Sequence, residues 1–248
     1  MNLFVFNPNS SAEMTDLIRR SAQDAASPGT RLEVAHGGPE APPSIEGHAD
    51  EAAAVPGMLA ALRAAEARGA QGHVLACFDD PGLGAAREVA AGPVVGLAQA
   101  GMQVAMMLAA RFSVVTTLPR AVPIIEDLVD RYGAGHACRR VRAVDLPVLS
   151  LEADPAEAER RLHAEILRAR DQDGAEAVLL GCAGMSAMCA RLTAETGVPV
   201  IDGVHAAVRM AEALVGGGYR TAKTGAYAFP RDKSGDLLRS PAPIRSAG

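Results

Sequence analysis

Residues 174–182, GAEAVLLGC, form an apolar run that ends on a cysteine, and the chain carries a second stretch of the same kind. Residues 69–77, GAQGHVLAC, also begin with Gly-Ala and reach a cysteine eight positions later. Pro93 of PVVGL follows Cys77 by sixteen positions, and Pro199 of PVIDGV follows Cys182 by seventeen. A period of about 105 residues is too long for a solenoid repeat and predicts two copies of one α/β lobe.

Apolar stretches bounded by turn residues alternate with helical patterns along the chain. The strand candidates are residues 2–6, 31–36, 73–77, 93–97, 112–117, 139–148, 177–182 and 199–204, and the helical patterns cover 12–26, 50–70, 123–133 and 155–174. Ser10 and Glu13 have the spacing of a capping box, and Pro56 interrupts the second helical pattern.

This alternation predicts an α/β protein made of two pseudo-symmetric Rossmann-like lobes, each with a parallel sheet covered on both faces. We expect residues 1–97 together with 206–248 to form the first lobe, and residues 98–205 to form the second. The active site is expected in the cleft between them. From Arg231 onward, Pro and Ser punctuation predicts a largely flexible tail.

The composition excludes several classes of protein. The net charge of −5 and the scattered basic residues argue against a nucleic-acid partner. Apolar stretches stay well below the ~20 residues of a membrane span, and the N-terminus lacks a basic signal-peptide region. Four cysteines without CxxC or zinc-ligand spacing indicate neither a disulfide scaffold nor a metal site. We therefore expect a cytoplasmic protein with free thiols and no membrane partner.

The two matched cysteines suggest a type of reaction. Ligands of parallel sheets bind at the carboxyl ends of the strands, so a pseudo-twofold axis would place Cys77 and Cys182 on opposite sides of one cleft. Racemisation needs such a pair, because one group removes a proton while the other delivers one to the opposite face. The base needs a lowered pKa, which we expect a helix N-terminus to provide. Backbone amides in residues 79–84 and 183–187 suit an oxyanion.

Several motifs resemble the hydantoin and allantoin racemases of the aspartate/glutamate racemase superfamily. They are FNPNSS (6–11), PSIEGHADEAA (43–53), ACFDDPGL (76–83), RFSVVTT (111–117), GAEAVLLGCAGM (174–185) and PVIDGVHAAV (199–208). The resemblance extends to about Tyr227. It implies a homo-oligomeric, cofactor-independent racemase of 5-substituted hydantoins, with Cys77 and Cys182 as the acid–base pair.

Departures from related enzymes narrow the substrate. The amino-acid racemases of the superfamily have Asn-Thr after the first cysteine and Thr-His after the second, whereas this chain has Phe78-Asp79 and Ala183-Gly184. Groups that would grip an α-amino acid are therefore missing, and a cyclic hydantoin fits better. The second thiol argues against the arylmalonate decarboxylases, which resemble this pattern with one catalytic cysteine. Allantoin racemase remains an alternative, as does a non-catalytic small-molecule sensor or thiol redox protein.

Candidate substrate contacts lie at the strand ends: Asn7, Phe78, Asp79, Thr116, Thr117, Ala183 and Gly184. Asn9 suits a turn or a helix cap, and Ser44 either lines the pocket or caps a turn. Asp80, with Asp79, is expected to anchor the Cys77 loop. Structural roles are predicted for four further residues: His73 in the core, His205 as a helix cap, and Cys138 and Cys189 as thiols outside the site.

Overall fold

The computed structural model describes residues 1–231, which contain two four-stranded parallel sheets flanked by helices. The first sheet has the strand order β2-β1-β3-β4 and the second has the order β6-β5-β7-β8. Their strands are β1 Asn2–Asn7, β2 Arg31–His36, β3 Gly72–Leu75, β4 Val94–Gly96, β5 Phe112–Thr116, β6 Cys138–Ala143, β7 Ala177–Leu180 and β8 Val200–Ile201. The two orders are equivalent, which confirms the predicted pair of pseudo-symmetric α/β lobes.

Nine α-helices connect and cover these strands in the described part of the chain. They are α1 Ala12–Ala25, α2 His48–Ala67, α3 Leu83–Val89, α4 Leu97–Leu108, α5 Val122–Arg131, α6 Ser150–Ala153, α7 Pro155–Asp173, α8 Cys189–Thr196 and α9 Gly203–Gly216. Short 3₁₀ helices cover Pro119–Ala121, Ala183–Met188 and Gly225–Tyr227. Within residues 1–231, no helix combines the length and apolar content needed to cross a bilayer.

Two helix predictions need correction. Ser11, not Ser10, caps α1, because its Oγ accepts a hydrogen bond of 3.0 Å from the Met14 amide. Helix α2 continues through Pro56 instead of breaking there. Buried Met58 and Leu62, which pack this helix onto the first sheet, stabilise it despite the missing proline N–H.

Several strands are shorter than the sequence predicts. β3 ends at Leu75 and β7 at Leu180, so each cysteine lies two residues beyond its strand. β8 stops at Ile201 because the Asp202 side chain accepts a hydrogen bond from the Val204 amide (2.7 Å) and begins α9. Small or apolar residues continue past the ends of β3 and β7, and for that reason the sequence pattern did not show where pairing ends.

The core is continuous across the lobes. Leu3 and Val74 of the first sheet and Val114 and Leu179 of the second belong to one buried cluster, which the central helices complete. The outer faces pack separately: α2 and α3 cover the first sheet, and α7 and α8 cover the second. Helix α4 begins at the expected lobe boundary, residues 97/98, and packs against both β4 and β7. The position of that boundary therefore stays a prediction. The predicted tail lies outside the described residues, apart from Arg231 itself.

Candidate active site

Cys77 and Cys182 occupy equivalent places in the two lobes. Each begins a tight turn just beyond the central strand that carries it: the Asp80 amide donates to the Cys77 carbonyl (3.2 Å), and the Met185 amide donates to the Cys182 carbonyl (3.1 Å). Both cysteines are partly exposed, neither is in a disulfide, and both line one cavity between the sheets. The structure thus brings together the two thiols that the repeat singled out.

The cavity between the thiols, called the inter-lobe cavity below, is small. Its volume is about 30 Å³, enough for one or two water molecules. The first lobe contributes Asn9, Met14, Ile45, Glu46, Ala76, Cys77, Phe78 and Asp79, and the second contributes Thr116, Thr117, Leu118, Ala121, Val148, Gly181, Cys182 and Ala183. A substituted five-membered ring therefore requires some of this lining to move apart.

Most of the predicted contact residues line this cavity, but Asn7 and Gly184 do not. Asn7 is fully buried, and its Nδ2 donates to Asn9 Oδ1 (2.7 Å) and Thr15 Oγ1 (3.0 Å). It thereby fixes the loop from which Asn9 reaches the cavity. Gly184 lies close by, since a β-carbon there would stand 3.8 Å from Cys182 Sγ. Substrate contact by any of these residues stays a prediction.

Hydrogen bonds fix the approach to Cys182. Thr116 Oγ1 donates to the Gly181 carbonyl (3.1 Å), so the end of β5 positions the residue just before the cysteine. Ala183 and Gly184 begin the 3₁₀ helix Ala183–Met188, and the first amides of a helix have no partner within that helix. Two adjacent amides at the start of a helix and beside a thiol can bind a developing oxyanion.

The surroundings of Cys77 shift the pKa of its thiol. The pKa of this thiol is raised well above its ordinary value, chiefly by burial of the sulfur and then by the Asp79 carboxylate. A hydrogen bond from the Asp79 amide opposes the shift, and Cys182 and Asp80 add to it. Helix α3 begins only at Leu83 and the Asp80 side chain binds the first amides of α4, so neither helix start is placed to lower the pKa of Cys77. Unliganded Cys77 is therefore a neutral thiol. The expected lowering at the thiol that acts as the base stays a prediction.

Asp79 brings a titrating carboxyl group to the same wall. Burial raises its pKa to about 7, and the neighbouring Glu51 and Asp80 carboxylates contribute. Near neutral pH the group is thus partly protonated, and it can both donate and accept hydrogen bonds. Within residues 1–231, no group of three or more His, Cys, Asp or Glu side chains is placed to hold a metal ion.

Sequence reasoning missed Glu46. Its Oε1 accepts hydrogen bonds from the Val148 amide (3.0 Å) and Ser44 Oγ (3.3 Å), which links the loop before α2 to the second lobe at the cavity. Ser44 supports this carboxylate and does not line the cavity. Apolar Met14, Ile45, Leu118, Ala121 and Val148 were missed as well. Glu46 lies inside the PSIEG motif, but neither periodicity nor spacing distinguishes it from a solvated glutamate.

The residues expected to be structural lie elsewhere. His73 is fully buried, with Nε2 3.2 Å from Glu66 Oε1, as a core histidine should be. Asp202, not His205, caps α9. Cys138 on β6 and Cys189 at the start of α8 do not line the inter-lobe cavity.

Comparisons with known proteins agree with this architecture. A family model described as Asp/Glu/Hydantoin racemase matches residues 3–211. A hydantoin racemase from Rhizobium meliloti is 59% identical over 94% of this chain and 97% of its own. Another, from Pseudomonas sp. (strain NS671), is 45% identical over 94% of this chain and 93% of its own.

Among solved structures, an allantoin racemase from Klebsiella pneumoniae superposes with a TM-score of 0.92. It is 47% identical and covers 96% of this chain and 98% of its own. The two hydantoin racemases are thus similar to this chain in sequence, and the allantoin racemase in sequence and fold, over nearly their full lengths. The chain belongs to the Asp/Glu/Hydantoin racemase family and is an isomerase of the racemase type.

Proposed function

We propose that this protein racemises 5-substituted hydantoins, without a cofactor, by proton transfer between C5 and the two thiols. The observation that carries the proposal is the placement of Cys77 and Cys182, which stand at equivalent strand ends of opposite lobes and line one cavity. A planar carbanion held between them can be protonated from either side.

In one direction, the Cys182 thiolate removes the C5 proton, and the electron pair passes into the neighbouring carbonyl as an enolate. The Cys77 thiol then donates its proton to the opposite face, which inverts C5 and leaves Cys77 as the thiolate. In the other direction the roles are exchanged. The raised pKa of Cys77 supports its starting role as donor, and the amides of Ala183 and Gly184 are suited to the enolate oxygen.

The substituent at C5 decides the substrate. Apolar Met14, Ile45, Leu118 and Val148 in the cavity lining support an alkyl or aryl group, and the hydantoin racemases named above agree with it. One observation favours allantoin as a second candidate. Glu46 and Asn9 bring polar side chains to the same cavity, where they could bind a ureido group. The similar allantoin racemase structure supports this alternative.

We also propose that the protein works in the cytoplasm as a homo-oligomer. Met107 is 73% exposed and Leu108 is 64% exposed at the end of α4, where a subunit contact would cover them. Sedimentation of the purified protein tests the oligomeric state separately from the chemistry.

The experiment that tests the reaction follows the decay of circular dichroism beside C5 deuterium incorporation in heavy water. Single enantiomers of an alkyl hydantoin, an aryl hydantoin and allantoin are compared, each corrected for its spontaneous rate. Enzyme-dependent loss of optical activity with a 5-alkyl or 5-aryl hydantoin supports the proposal. Acceleration with allantoin alone selects the second candidate. Acceleration with none, together with a reversible disulfide under mild oxidant, indicates a thiol redox protein instead.

A further inference from the structure

We infer that Asp80 is a positioning residue for Cys77, which it holds in place by tying the cysteine-bearing turn to α4 and to Tyr132 of the second lobe. The inference rests on the proposed function, since it concerns how one thiol is placed opposite the other. It assigns to Asp80 no contact with the substrate.

The backbone of Asp80 is held in an unusual conformation. Its φ is +46°, in the left-handed region that residues with side chains seldom adopt, and only 4% of its surface is exposed. Its amide donates to the Cys77 carbonyl (3.2 Å) and its carbonyl accepts from the Leu83 amide (3.2 Å). Strain of this kind persists where surrounding contacts over-determine the conformation.

The carboxylate supplies those contacts. Oδ1 accepts a hydrogen bond from the Ala98 amide (3.1 Å), and Oδ2 accepts one from the Gln99 amide (3.0 Å). These amides belong to the first turn of α4 and have no partner within their own helix. Asp80 therefore caps a helix that begins well after it in the chain, and the positive end of the helix dipole stabilises the buried charge.

Tyr132 extends the network across the lobes. Its hydroxyl donates to Asp80 Oδ2 (2.9 Å), and the residue ends α5, which belongs to the second α/β unit. Helix α4 itself runs from β4 of one sheet to β5 of the other. The turn that carries Cys77 is thus fixed to α4, which connects the lobes, and to the end of α5 in the lobe that carries Cys182.

This arrangement predicts that loss of the Asp80 contacts affects the two enantiomers differently. If the Asp80 network loosens, Cys77 loses its alignment while the Cys182 turn keeps its own hydrogen bonds. Cys182 can then still remove a proton from one enantiomer and return a solvent deuteron to the same face. Exchange therefore survives for that enantiomer while inversion slows, which a general loss of folded protein would not produce.

The test compares Y132F and D80N with the control Y219F, which makes the same Tyr→Phe change at a residue that is 66% exposed. Three quantities are measured: thermal unfolding, racemisation in both directions, and the ratio of C5 deuterium exchange to racemisation for each enantiomer. We expect Y132F to lower the kcat of racemisation about tenfold, with that ratio raised for one enantiomer only. D80N should lower kcat at least as much and raise the ratio for the same enantiomer. Y219F should match the wild type in both quantities.

A second measurement is independent of activity. The alkylation rate of Cys77 by iodoacetamide, followed on the isolated peptide by mass spectrometry, should rise several-fold in Y132F because the buried thiol becomes more accessible. Equal loss of exchange and racemisation for both enantiomers, or racemisation and alkylation unchanged in Y132F and D80N, overturns the inference. A wild-type protein that racemises nothing contradicts the proposed function alone, and the alkylation rates then decide whether Asp80 positions Cys77.

Discussion

Gly96 lies so close to the Asp80 carboxylate that a β-carbon at position 96 would stand only 2.5 Å from Oδ2. The carboxylate cannot withdraw freely, since it is bound to two amides of α4 and to the Tyr132 hydroxyl. Gly96 itself has an ordinary φ of −90°. Glycine is therefore needed at this position for space, not for backbone freedom.

We accordingly expect G96A to destabilise the protein by about 3 kcal/mol, since overpacking against a fixed charged group has no easy relief. G84A is the matched control, because a β-carbon at Gly84 in α3 meets nothing within 4 Å. Alanine there should be neutral or stabilising by up to ~1 kcal/mol. Urea unfolding measures both, and equal stability of the two variants would contradict the close approach of Gly96 and Asp80.

Replacing either thiol of the proposed pair should remove racemisation. C77S and C182S are each expected to lower the rate by a factor of at least about 10³, since a serine hydroxyl is far too weak an acid and base for this step. C138S changes a thiol that does not line the inter-lobe cavity and serves as the control. Polarimetry with single enantiomers gives the rates. Near-normal activity in C77S or C182S would rule out the two-thiol mechanism.

The Asp79 carboxylate should control the reactivity of Cys77. Its charge raises the pKa of the thiol, and its own pKa is about 7, so the effect is strongest above neutral pH. D79N is expected to move the pH midpoint of Cys77 alkylation downward, with D24N on the exposed face of α1 as the control. Labelling rates with iodoacetamide are compared at each pH from 6 to 10, where a lower midpoint gives faster labelling of Cys77 in D79N than in wild type. A midpoint that stays in place or rises in D79N would contradict it.

The same carboxylate should make stability depend on pH. Because burial raises the Asp79 pKa from its ordinary value to about 7, the native state binds more protons than the unfolded chain between these values. Stability from this group is therefore present at low pH and is lost as pH rises toward 7. Relative to wild type, D79N should gain on the order of 4 kcal/mol between pH 4 and pH 8. Urea midpoints at the two pH values measure the gain, and a constant difference contradicts it.

Glu46 should control opening of the inter-lobe cavity. Its Oε1 holds the Val148 amide from across the cavity, and the closed volume of about 30 Å³ is too small for a hydantoin ring. E46A removes this link, so we expect faster cleavage of the loop before α2 in limited proteolysis and a KM changed several-fold. E46Q keeps an acceptor oxygen and should stay near wild type in proteolysis. Identical behaviour of E46A and wild type would show that this contact does not hold the cavity closed.

Much of the fold could be predicted because its signals are local. The stretches ending at Cys77 and Cys182, with alternating strands and helices around them, indicated two parallel-sheet lobes with a cysteine at matching positions. The predicted ends of the strands were less accurate. Val200 and Ile201 look like the start of a longer strand, and only the cap formed by Asp202 shows where the helix begins.

The candidate site also combines features that the sequence could predict with features that it could not. The sequence by itself determined the residue types next to each strand end, and hence the thiols and their immediate neighbours, because chain connectivity places those residues together. Only the tertiary structure decided that Glu46 meets Val148, that Asp80 binds the start of α4 and Tyr132, and that Asn9 instead of Asn7 reaches the cavity. It also decided that the pKa of the Cys77 thiol is raised. Burial and through-space charge depend on segments far apart in the chain, and their effect on a side chain exists only once the two lobes have packed together.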